Sequence, residues 1–268
     1  MLEVRNLTKV YDDGTVALRD VSFTVEDGEF LIIIGLSGSG KSTLLRCINR
    51  LVEPTEGTVL WDDEDVTQAD QGRLRQIRRQ IGMIFQQFNL VKRSKVIQNV
   101  LSGRLGYVNQ WESLFQRFSA EDRQMAMDAL ERMGMTDQAQ KRADELSGGQ
   151  QQRVGIARAL VQQPRMILAD EPVASLDPVL AHSILLHLED LNQNENITIL
   201  CSLHYLDLVQ RYATRVIGLR AGEIVYRGTQ EEIRAMSDAE FKDIYGEEAE
   251  RVGGNLEGSL EGALGGAE

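Results

Sequence analysis

The chain has 268 residues, 42% of them hydrophobic and 26% charged, with a formal net charge of -12. That length can bury a substantial core in one large or two modest domains. The acidic balance argues against a sequence-independent nucleic-acid binder, which needs a basic footprint. The apolar runs around Leu31 and Ile199 fall short of the roughly 18 residues of a spanning helix. The opening Met1-Leu2-Glu3-Val4-Arg5 lacks the basic-then-apolar order of a signal, so a cytoplasmic protein is expected. Cys47 and Cys201 sit in apolar segments without ligand spacing and read as buried thiols of a reducing compartment.

In chain order, residues 1–30 read as short alternating strands. Leu2-Glu3-Val4 and Leu7-Thr8-Lys9-Val10 come before the turn signal Asp12-Asp13-Gly14-Thr15, and Val21-Ser22-Phe23-Thr24-Val25 before Asp27-Gly28. With Gly57-Thr58-Val59-Leu60-Trp61 they predict a small antiparallel sheet beside a larger one. Phe30-Leu31-Ile32-Ile33-Ile34 is a buried-type strand, followed by a Gly-rich loop and a helix over residues 42–50. Residues 73–80 favour a basic helix, and Ile81-Gly82-Met83-Ile84-Phe85 another strand ending at Gln86-Gln87. Residues 96–105, 120–133 and 150–161 carry apolar side chains at three- and four-residue spacing, which predicts a helical subdomain of about residues 88–163 inserted in the core.

The core then resumes with a strand over 165–169, a helix over 179–192, a strand over 197–201, a helix over 206–212 and a hairpin about Ala221-Gly222. Such alternation predicts an α/β fold, a parallel sheet with helices on both faces. A last helix is expected over 238–245. The Gly/Glu-rich segment 247–268 has no period and is expected to be disordered, leaving residues 1–246 as the folded domain.

The Gly-rich loop is Gly35-Leu36-Ser37-Gly38-Ser39-Gly40-Lys41-Ser42-Thr43, which satisfies G-x-x-x-x-G-K-[ST] between a strand and a helix. The glycines let several backbone N–H groups face one anion, and the following helix adds its positive end. Lys41 supplies a point charge for the β- and γ-phosphates, and the Ser42 hydroxyl is a Mg²⁺ ligand. A structural alternative is a flexible Gly/Ser turn, disfavoured by the strand and helix on either side. Met166-Ile167-Leu168-Ala169-Asp170-Glu171 ends a strand that can lie beside the one before Gly35. Asp170 would hold Mg²⁺ through its water shell, and Glu171 would act as general base on the attacking water. A pair of capping carboxylates is the alternative.

Leu146-Ser147-Gly148-Gly149-Gln150 reads either as an ordinary capped helix start or as a second anion site. Here the chain resembles the ATP-binding subunits of the ABC transporter family, whose signature is LSGGQ, over nearly its whole length from Leu2 to about Gly246. The resemblance implies a P-loop NTPase core with an N-terminal antiparallel subdomain and an inserted helical one. It implies Tyr11 as the aromatic stacking on adenine, Gln86 as a residue reaching the metal and attacking water, and Ser175-Leu176-Asp177 as a loop crossing a dimer interface. It also implies His204 as a γ-phosphate contact. His182 and His187 match no motif and read as helix-surface or packing residues.

The resemblance further implies a homodimer enclosing two ATP molecules, each held by residues 35–43 of one copy and by Ser147, Gly148, Gly149 and Gln150 of the other. Closure and opening would drive separate transmembrane permease subunits, through the groove between the Gln86 region and the helical block. An extracytoplasmic solute-binding protein would be an indirect partner, and the location the cytoplasmic face of the membrane. No nucleic-acid partner is implied: chromosome and repair relatives carry long coiled-coil insertions, and translation relatives carry two ATPase domains. Residues 100–107, then Trp111, Leu114 and Phe115, with Cys201-Ser202-Leu203-His204 and Ile244-Tyr245-Gly246, are similar to phosphonate importer ATPases. Tyr107, Trp111 and Phe115 could instead be one packed helix face. Importers of phosphate esters, phosphite or polar amino acids would share the same catalytic residues. Asp63 and Glu64 replace a turn glycine of many relatives.

Overall fold

The computed structural model describes residues 1–108, 117–174, 176–203 and 206–237, together with Glu240 and Ile244. Trp111, Leu114, Phe115, Ser175, His204, most of the expected helix over 238–245 and the segment 247–268 lie outside the described residues.

Two sheets organise the chain. The first is antiparallel, with strands β1 (Leu2–Val10), β2 (Val16–Val25), β4 (Glu56–Trp61) and β5 (Glu64–Asp65) in the order β2-β1-β4-β5. The two stretches read in residues 2–10 form one strand, whose register on β2 shifts between Val4 and Leu7, where Asn6 takes φ 47°, and again between Leu7 and Lys9 and between Lys9 and Val10. Between β4 and β5 the two-residue turn Asp62-Asp63 has φ 50° and 66°, the mirror-image geometry that suits the twist of a hairpin. Aspartate tolerates the left-handed region well enough to stand where a glycine was expected.

The second sheet has six strands in the order β10-β9-β3-β8-β7-β6. They are β3 (Phe30–Ile34), β6 (Ile81–Ile84), β7 (Met166–Ala169), β8 (Thr198–Ser202), β9 (Arg215–Arg220) and β10 (Glu223–Thr229). All neighbours are parallel except the β9–β10 hairpin. Its inner strands are buried on both faces, and their alternation divides two cores. Leu31 and Ile33 join the helix Lys41–Ile48 and the antiparallel sheet, whereas Phe30, Ile32 and Ile34 face the helical block and the helix Pro178–Glu195. The order corrects one expectation: β7 does not lie beside β3, because β8 runs between them.

Between β6 and β7 the helices Val96–Leu101, Ala120–Arg132 and Gly148–Leu160 pack on one another. The first is shorter than its apolar spacing predicts, continuing as a 3-10 turn over Ser102–Gly106. There Gly103 lies so close to the helix Gly148–Leu160 that a Cβ would collide with the Arg158 carbonyl. A buried ion pair, Arg104 Nε to Asp122 Oδ1 at 2.7 Å, ties the 3-10 turn to Ala120–Arg132. The helices Gln71–Gln80, capped by Asp70, and Leu206–Tyr212 match expected segments, whereas Gln230–Ala235, capped by Thr229, has no counterpart in the sequence reading.

Candidate nucleotide site

The site is built at the C-terminal ends of β3, β7 and β8, where open α/β sheets place ligands. After Ile34 the chain turns through Gly35, Gly38 and Gly40, with φ 147°, 79° and 106°. A Cβ on Gly35 would strike the Leu219 carbonyl oxygen and one on Gly40 the Ala17 carbonyl, so the loop is pressed against the β9 end and β2. Ser39 O accepts from Gly222 N at 3.0 Å, fixing the loop to the β9–β10 turn. A Cβ on Gly38 would meet open space, which leaves that backbone accessible from outside. The Ser39 hydroxyl is buried without a hydrogen-bond partner among the described residues.

Lys41 begins the helix Lys41–Ile48 and is 3% exposed. Its ammonium donates to Gly35 O at 2.7 Å and Leu36 O at 2.9 Å and lies 3.7 Å from Glu171 Oε1. Burial pushes its pKa below the ordinary 10.5, against the opposing pull of Glu171 and Asp170. Ser42 Oγ donates to Asp170 Oδ1 at 2.6 Å, so the two residues expected at the metal are brought together although β8 separates their strands. Thr43 Oγ1 lies 3.3 Å from the Tyr11 hydroxyl, which places Tyr11, exposed on the turn after β1, at the edge of the loop.

Glu171 follows Asp170 with φ 47°, a left-handed conformation that a β-carbon residue holds only when its surroundings enforce it. Its N–H donates to Ser202 Oγ at 2.9 Å, and its Oε2 accepts from Gln86 Nε2 at 2.9 Å. Gln86, Glu171 and Lys41 thus meet, and Gln86 carries its side chain there from the end of β6. The next turn, with Phe88 and Asn89 at φ 47° and 49°, is held by Arg158, whose guanidinium donates to Phe88 O at 2.9 Å and Asn89 O at 2.6 Å. The sequence reading had no signal for that anchor, and it held Ser202 only as part of the Cys201-Ser202-Leu203-His204 stretch, without its contact to Glu171. It also missed Arg46, one turn beyond Ser42, whose Nη2 lies 3.2 Å from Asp170 Oδ2.

Ser147, Gly148, Gly149 and Gln150 stand apart from these groups at the start of the helix Gly148–Leu160. Ser147 Oγ accepts from Gln150 N at 3.3 Å, and Gln150 Oε1 accepts from Ser147 N at 3.0 Å. Ser147 and Gly148 are exposed, whereas Gly149 is buried so closely beneath Leu180 that a Cβ would crowd it at 2.8 Å. Asp177 caps the helix Pro178–Glu195, accepting from Val179 N at 3.1 Å and Leu180 N at 3.0 Å, and Leu176 is half-buried near Gly148. The capped-helix reading of Ser147 therefore holds as local geometry, while the cap supplied by Asp177 is a feature the sequence did not suggest. His182 accepts or donates at Nδ1 to the Tyr212 hydroxyl at 2.7 Å, a packing role between two helices.

For Mg²⁺ the donor set is a hydroxyl, a carboxylate and a side-chain amide, all hard oxygens. They are too few to enclose a cation alone, which suits an ion that keeps water and phosphate ligands.

Residues 18–174 match the ABC transporter family model. The chain belongs to that family. Among curated ABC relatives, the phosphonates import ATP-binding protein PhnC of Lactobacillus johnsonii is 51% identical over 245 residues, covering 91% of this chain and 95% of its own. That of Bacillus thuringiensis is 51% identical over 251 residues, covering 94% and 96%. Among solved structures, the dimeric ATP-binding cassette MJ0796 bound to ADP and Pi superposes with TM-score 0.77 at 36% identity, covering 86% of this chain and 99% of that one. The ADP form of the cassette MJ1267 gives TM-score 0.79 at 33% identity, covering 91% and 97%. The α/β ABC ATPase fold expected from the motifs is the one observed, and the chain is a transport ATPase.

Proposed function

We propose that this ABC ATPase is the ATP-hydrolysing subunit of a phosphonate importer. The relatives bearing that name, near half identical over nine-tenths of the chain or more, support the solute class. The observation that carries the chemistry is the convergence of Lys41, Ser42, Gln86, Asp170 and Glu171 at the C-terminal ends of the parallel strands, joined by the contacts Ser42–Asp170 and Gln86–Glu171.

In this reading residues 35–43 wrap the β- and γ-phosphates with backbone N–H groups, and Lys41 exchanges its two carbonyl partners for phosphate oxygens. Adenine stacks on Tyr11. Ser42 and Gln86, with Asp170 through water, would hold Mg²⁺, which would supply charge neutralisation at the transferring phosphoryl group. Glu171, oriented by Gln86 and by its Ser202-anchored backbone, takes the proton of the attacking water. His204 contacts the γ-phosphate. The exposed Ser147-Gly148 edge, with Gly149 and Gln150, faces the nucleotide of a second copy, and Ser175, Leu176 and Asp177 cross between copies. ATP thereby bridges a homodimer whose closure and opening drive separate permease subunits, at the cytoplasmic face of the membrane as a peripheral subunit, with a solute-binding protein as indirect partner.

Glu171→Gln tests the assignment. ATP binding stays within about twofold, while turnover falls by about a hundredfold or more, the size of a lost general base. Hydrolysis at the wild-type rate would remove Glu171 from the mechanism.

A further inference from the structure

Asp170 is wholly buried, and both of its oxygens are engaged from a single helix. Ser42 and Arg46 stand four residues apart on Lys41–Ile48, hence on one face. Ser42 Oγ donates to Oδ1 at 2.6 Å, and Arg46 Nη2 reaches Oδ2 at 3.2 Å. Ser202 Oγ is a longer neighbour of Oδ1, at 3.5 Å. A buried carboxylate without a positive partner is costly, so something must balance Asp170 when no cation is present. Lys41, a second cationic group of the site, donates to Gly35 O and Leu36 O and lies 3.7 Å from Glu171 Oε1. Arg46 differs in its surroundings: its side chain is 44% exposed, on the outer side of the carboxylate, with a long stem that can swing into water.

We propose that Arg46 is the resident counter-ion of Asp170: it balances the carboxylate while the site holds no metal, and its charge opposes the arriving cation. The inference rests on the assignment of Asp170 to the metal. Two consequences have opposite sign, which separates this role from that of a simple orienting contact. Removing the guanidinium leaves a buried carboxylate uncompensated, so the metal-free protein loses stability. The same removal takes a positive charge away from the cation, so the metal binds more tightly. An orienting contact would lower both quantities.

The test uses the full-length protein, ADP and Mn²⁺. The measured quantity is the ratio of ADP dissociation constants without and with Mn²⁺, together with the melting temperature of the metal-free protein. Arg46→Ala raises that ratio by about fivefold, the order expected for one half-solvated charge several ångström from a divalent ion, and it lowers the melting temperature. Arg46→Lys keeps both near wild type. In an Asp170→Asn background, Arg46→Ala no longer lowers the melting temperature, because no charge is left to balance. A ratio unchanged or reduced in Arg46→Ala overturns the proposal, as does equal destabilisation in both backgrounds. If Mn²⁺ fails to alter ADP affinity in the wild type, the metal assignment itself falls and the counter-ion with it.

Discussion

Lys41 shows how the site sets one residue's chemistry. Nearly excluded from water, its ammonium is held below the ordinary 10.5 by burial, although Glu171 and Asp170 pull the other way. With Lys41 on phosphate as proposed, only its charged form binds, so ATP affinity is expected to be fully present below the lowered value and lost as pH rises through it. Stability moves oppositely. Between the folded value and 10.5 the unfolded chain holds more protons, so folding is favoured as pH climbs through that window. ATP titrations from neutral to alkaline pH check this: the affinity is expected to fall before pH 10.5 is reached. Lys41→Arg, charged throughout that range, removes the dependence. A flat profile in the wild type would mean that the ammonium does not hold phosphate.

At the scale of elements, the phosphate loop and its supports are fixed by close contact. Gly35→Ala forces a methyl group against the Leu219 carbonyl at a φ that side chains avoid, so the loop must shift. ATP affinity is expected to drop at least tenfold, read by titration, with a cost to stability of about 1–3 kcal/mol. In the helical block, Arg104→Ala leaves Asp122 buried without its cation, held only by the Ser119 N–H and hydroxyl, and is expected to cost about 3 kcal/mol in urea unfolding. A loss under about 1 kcal/mol would show the pair to be as weak as a surface one.

The strands and helices around the motifs were legible because both signals are local: five apolar residues before Gly35, and a capping serine before Gly148. Strand order was not legible. Nothing local tells Met166–Ala169 that Thr198–Ser202 will lie between it and β3, since that is decided by which helices cover which face. For the same reason Ser42 and Asp170 were expected together from their chemistry, whereas Ser202, Arg46 and Arg158 became visible only through long-range contacts. The turn at Asp62-Asp63 was obscured because glycine is the usual left-handed residue and aspartate an acceptable substitute.

At the scale of the whole molecule, the two surfaces that the proposal assigns to nucleotide stand apart within one copy. One is the cluster around residues 35–43, and the other is the exposed Ser147-Gly148 edge at a capped helix start. An arginine at position 147 would lie on the surface, so Ser147→Arg is expected to leave ATP binding by a single copy within about threefold and to lose only the cap, roughly 1 kcal/mol. Its effect falls on the second copy. The most direct measurement is therefore the mass, by light scattering, of the Glu171→Gln protein with and without ATP, alone and combined with Ser147→Arg. The account predicts a dimer for Glu171→Gln only when ATP is present, and a monomer that still binds ATP once Ser147→Arg is added. A Glu171→Gln protein that binds ATP fully and stays monomeric, or a dimer indifferent to Ser147→Arg, would contradict it.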